Sequence, residues 1–151
     1  MKTIDKKNTK AIQSLIIINN DRIQGYKEAE KLVKDEDLKT LFSKLSTQSE
    51  GFRNELQALL TDMDDAPDHD ETKVSGKIFR GWMDVKDNVA GNNRKAVLSS
   101  CEFGEDAAKK EYESVLKDGE DLSSQTLDLI HRQNAELMKA HDRIKSLRDS
   151  A

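Results

Sequence analysis

Three side chains of metal-ligating type, Glu30, Glu105 and His141, fall on the apolar faces of three separate helical stretches of this 151-residue sequence. Steps of three and four residues keep side chains on one face of a helix. Followed in such steps, the first stripe reads Ile16, Asn19, Ile23, Tyr26, Glu30 and Val33; a second reads Leu98, Cys101, Glu105, Ala108 and Tyr112; a third reads Leu127, Ile130, Asn134, Leu137, His141 and Ile144. Carboxylates and an imidazole projecting inward from different helices form the donor set of a bundle-core site for iron, zinc or manganese, with Glu102 one turn from Glu105 as an extra ligand. A buried charge must find a counter-charge or a metal. The same residues can therefore equally be structural, pairing with the many Lys and Arg side chains or snorkelling at the rim.

Spacing argues against the oxygen-activating chemistry of dinuclear bundles, which place Glu-x-x-His on two helices so that both side chains share one face. The three histidines are His69, His131 and His141, and the residues three before them are Ala66, Asp128 and Met138, so the motif is absent. Asp128-x-x-His131 is the nearest substitute, and the second helical stretch has no histidine to complete it. The single cysteine, Cys101, excludes an intrachain disulfide and a multi-cysteine zinc knuckle, and its stripe position suits a packing residue better than a nucleophile. No phosphate loop, Gly-x-Ser-x-Gly or zinc spacing occurs. The acidic run Asp62 to Glu71 lacks the glycine and closing glutamate of an EF-hand at the required spacing and reads as a solvated loop. No catalytic residue and no cofactor is assigned.

The elements that must position these residues are four long amphipathic helices, expected over about 9–34, 37–63, 93–118 and 122–148. Pro67 and the acid run interrupt the pattern after the second, and Ile78, Phe79, Trp82, Val85 and Val89 mark a short amphipathic helix over about 76–90 before the turn signal at Gly91. The fold expected is all-α: one ferritin-like four-helix-bundle domain over 1–151, with a long crossover between its second and third helices that carries the extra helix. Charged residues make up 36% of the chain, but 29 acids against 25 bases leave a net charge of -4 and no basic field, so neither nucleic acid nor an anionic membrane is an expected partner. The apolar run Leu15 to Ile18 is too short for a signal core or a membrane span, and a cytoplasmic location is expected.

Several segments taken in order resemble a bacterial ferritin-like four-helix-bundle family of unknown function. They are Asn19 through Glu30, Leu41-Phe42, Phe52, Glu55-Leu56, Ser75-Gly76, Arg80-Gly81-Trp82-Met83, Cys101 through Ala108, Tyr112, Ala140 through Arg143 and Leu147 through Asp149. The family usually has a histidine where this chain has Phe79. The resemblance implies a cytoplasmic bundle and brings no established reaction. With no catalytic constellation present, the expectation is a structural or stress-related bundle that self-associates or binds a protein partner. The alternative is a divergent metal-binding protein using Glu30, Glu105 and His141.

Overall fold

The computed structural model describes residues 3–61 and 94–151. They form α1 (Thr3–Leu32), α2 (Glu36–Thr61), α3 (Arg94–Lys117) and α4 (Ser124–Ser150), with a 3-10 turn at Gly119–Asp121, and no strand occurs among the described residues. The four long helices expected are present. The largest difference is at the start of α1, which begins at Thr3 because nothing in the lysine-rich lead-in breaks a helix. The expected helix over 76–90, with Trp82, lies outside the described residues, as do the acidic run and His69.

Local chemistry sets the ends on the α3–α4 side. Ser123 has extended backbone and its Oγ accepts from the Thr126 amide at 3.2 Å, capping α4. Gly119 sits in the turn because a Cβ there would stand 3.1 Å from Leu127 Cδ2 and 3.4 Å from Leu122 Cδ1. Close packing, rather than a left-handed backbone, is what favours glycine there.

The link from α1 to α2, residues 33–35, permits only an antiparallel pair. Arg94, the first residue of α3, donates to Asp35 at 2.6 Å and to Asp37 at 2.8 Å, so α3 starts at the end where α1 turns into α2. Thr61 closes α2 at the other end, about 39 Å away for 26 residues. α3 therefore runs parallel to α2, α4 returns antiparallel, and residues 62–93 join opposite ends of the helices. α1 packs on α2 and α3, α3 packs on α4, and α2 meets α4 sparsely. No helix among the described residues is long and apolar enough to cross a membrane.

The apolar core divides in two. One cluster, near the α1–α2 turn, gathers Tyr26, Val33, Leu38, Phe42, Leu98, Cys101 and Ile144. The other gathers Ile12, Leu15, Phe52, Leu56, Tyr112, Ile130 and Leu137. Buried polar side chains from all four helices lie on the same inward stripes: Asn19 and Arg22, Ser49, Glu105 and Gln133.

Candidate functional site

The polar belt is built around one ion pair. Arg22 of α1 and Glu105 of α3 are each 1% exposed, and the guanidinium grips the carboxylate with two parallel bonds, Nε to Oε1 and Nη2 to Oε2, both 2.9 Å. This fork-to-fork geometry is the strongest that a neutral-pH ion pair adopts. Tyr26, one turn beyond Arg22, donates its hydroxyl to Oε2 of the same carboxylate. The Arg22 guanidinium also stands over the Tyr26 ring, 5.3 Å from its centre. Burial alone would lower the Arg22 pKa, and the Glu105 carboxylate outweighs it and raises it, so the arginine stays charged.

From Arg22 the bonds continue in one direction across the bundle. Nη1 donates to Ser49 Oγ at 2.7 Å, Ser49 donates to Asn19 Oδ1 at 2.8 Å, and the Asn19 amide donates to Tyr112 Oη at 2.9 Å and to the Leu15 carbonyl at 2.8 Å. Tyr112 then donates to Gln133 Oε1 at 2.6 Å, and the Gln133 amide reaches the Phe52 carbonyl at 3.2 Å and Glu55 Oε1 at 3.1 Å. Glu55 ends the chain on the surface, paired with Arg132 at 2.6 Å. A row of donors that starts at a guanidinium and ends at a carboxylate polarises each bond in the same sense, which strengthens the row.

Burial sets the titration of the groups around the pair. Burial and then the Glu105 carboxylate push the Tyr26 phenol and the Cys101 thiol well above their ordinary values, and burial raises Tyr112. None of the three is a base or a nucleophile near neutral pH.

The residues of the expected metal site fall in different surroundings. Glu105 is in the belt, where Arg22 and Tyr26 donate to both of its oxygens. A metal ion bound there would meet the Arg22 guanidinium, a like charge. Glu30 is half-buried, further along α1. His141 faces Asp106 Oδ1 at 2.6 Å and Asp142 at 3.3 Å on the α3–α4 surface. Burial would lower its pKa, and the bonds to Asp106 and then Asp142 outweigh that and raise it. Glu102 pairs with Arg148. Among the described residues no three His, Cys, Asp or Glu side chains are grouped to hold a metal ion.

Arg22, Ser49 and Gln133 are absent from the sequence-derived site. The signal for two of them is present one residue off the stripes drawn above: Arg22 lies four before Tyr26 and seven after Leu15, and Gln133 lies three after Ile130 and four before Leu137. Asp21, beside Arg22, is also buried at 1% exposure, and neither of its oxygens has a hydrogen-bond partner among the described residues. Burial pushes its pKa up to about 7.

Residues 7–118 match a family described as a domain of unknown function (DUF2383), and the chain belongs to that family. The match takes in Asn19, Arg22, Tyr26, Ser49, Glu105 and Tyr112 of the belt, while Gln133 and His141 lie beyond it. No curated protein matches the chain.

Proposed function

We propose that this chain is a non-catalytic bundle of the ferritin-like kind, structural or stress-related in role, that acts by associating with copies of itself or with a protein partner. The observation that carries the reading is Glu105. The one carboxylate that reaches the interior from α3 already holds a cation, and that cation is the Arg22 guanidinium. Where ferritin-like bundles set carboxylates around metal ions, this chain supports its interior with an arginine, a tyrosine and a row of amides and hydroxyls. The helix order, with residues 62–93 joining opposite ends of the pairs, also fits a bundle with one crossover. The raised Tyr26 and Cys101 values favour an inert interior over a reactive one.

Thermal unfolding with and without added iron(II), zinc or manganese tests the non-metal half of this reading. A metal bound only by the folded chain raises its melting temperature by mass action. The expected result is a shift within about 1 °C for the wild type and for Glu105→Gln alike, since 1 kcal/mol corresponds to about 2 to 4 °C in a chain of this size. A gain of several degrees in the wild type that Glu105→Gln loses would establish the rival reading, a divergent metal protein using Glu30, Glu105 and His141 with Glu102 in reserve.

A further inference from the structure

The sparse contact between α2 and α4 leaves a seam that is closed at one clasp and open on both sides of it. At the clasp, Glu55 of α2 takes Arg132 and Gln133 of α4, and Gln133 also bonds the Phe52 carbonyl. Toward the α1–α2 turn lies a groove of about 360 Å³, floored by Leu41, Leu45 and Ala140 and edged by Lys44 and Arg143. On the other side lies a groove of about 550 Å³ between Leu59 and Leu129, with Asp128 at its edge.

The charges left over in the two grooves are opposite. In the first, Asp37 is taken by Arg94 at 2.8 Å and Glu136 by Lys139 at 3.5 Å, so Lys44 and Arg143 have no ion-pair partner among the described residues. In the second, Glu55 is taken by Arg132, and Asp128 has no ion-pair partner among the described residues. In the cationic groove Gln48 adds a buried amide oxygen without a hydrogen-bond partner among the described residues. Gly51, next to Phe52, is exposed in mid-helix, with nothing within 4 Å of where its Cβ would stand. Glycine at such a position disfavours the helix relative to alanine, and it lets another helix approach closely.

A cationic groove and an anionic groove on either side of one clasp are self-complementary under a two-fold rotation, the commonest symmetry of soluble dimers. We propose that the α2–α4 seam is a self-association face: a second copy of this chain docks about a two-fold axis near the clasp, Arg143 and Lys44 of each copy meeting Asp128 of the other. This rests on the association half of the reading above and names its face. The contacts are exposed charges over a shallow apolar floor, so the dimer weakens with salt.

Sedimentation of the full chain at about 50 mM and about 500 mM salt tests it, since screening acts on exposed pairs over this range. The wild type is expected to dimerise, with the dissociation constant rising about tenfold at the higher salt. Arg143→Glu and Asp128→Lys change exposed residues and are expected to leave the helical circular dichroism intact. Each alone is expected to be monomeric, because it sets like charges together twice per dimer, and an equal mixture of the two is expected to dimerise, because both contacts become attractive again. A wild type that stays monomeric at every concentration overturns both this proposal and self-association. A dimer that neither reversal weakens overturns the seam and leaves self-association standing, and its loss in Phe103→Ser would move the interface to the exposed Phe103 of α3. Monomeric single variants whose mixture also stays monomeric overturn the two-fold pairing.

Discussion

Asp21 and Arg22 are neighbours on α1, each 1% exposed, and burial works against the charge of both, with opposite outcomes. Arg22 points into the bundle and meets Glu105, Ser49 and the Tyr26 ring, so its charge is kept. Asp21 points to a different side of the helix, has no hydrogen-bond partner for either oxygen among the described residues, and keeps its proton up to about pH 7. Taking an ion out of water costs several kcal/mol, and only well-placed counter-charges and donors offset that. Where geometry supplies them the interior stays ionic. One residue away, where it does not, the group neutralises instead.

The largest effect that should follow is on the paired side. Arg22→Met leaves Glu105 buried without its cation and is expected to cost about 3 to 5 kcal/mol, read from urea unfolding. A cost under about 1 kcal/mol would mean that the ion pair is dispensable and the contrast with Asp21 carries no energy.

The unpaired side should show itself through pH. The folded pKa of Asp21 stands at about 7, above its ordinary value, so between about pH 4 and 7 the folded chain holds a proton that the unfolded chain has released. Stability therefore falls as pH rises through that window and levels off above it. Asp21→Asn should flatten this slope, leaving stability near wild type at about pH 4 and raising it by about 1 to 4 kcal/mol at about pH 8. A wild-type slope of the opposite sign over that window, or one unchanged in the variant, would contradict the assignment.

Smaller effects sharpen the same comparison further along the belt. Ser49→Ala removes the bridge between Arg22 and Asn19 and should cost about 1 to 3 kcal/mol, because Asn19 Oδ1 loses its donor inside the protein. At the surface, His141 has a raised pKa, so what its pairing with Asp106 contributes is present at low pH and lost as pH rises through the folded value. His141→Gln should cost under about 1 kcal/mol at about pH 6 and less at about pH 8. A larger loss at the higher pH would show that the neutral ring packs rather than pairs.

How much of this was legible in the sequence differs between helices and site. The stripes of apolar residues locate all four helices, and the short links give their pairing, because 3.6-residue periodicity survives any choice of surface residue. Glu105, Asn19 and Cys101 also fall inward on the sequence pattern. Arg22 does not, because a charged side chain reads as solvent-facing until a partner is known, and its partner lies 83 residues away on another helix. Gln133 escapes for a related reason: the apolar stripe of α4 extends through Asn134 and His141, whereas Gln133 and Ala140 are the buried positions. A stripe fixes a face to within about one residue, and one residue separates a paired interior arginine from an unpaired aspartate.

The central claim is that Glu105 is held by Arg22 as a structural pair, and a double-mutant cycle measures that directly. Arg22→Met, Glu105→Gln and the double variant should be unfolded in urea at neutral pH beside the wild type. The double variant is expected to cost less than the sum of the two single variants by about 2 kcal/mol or more, because each single change strands the other residue and the double change strands neither. Costs that add to within about 0.5 kcal/mol would contradict it, since residues that hold one another cannot be independent.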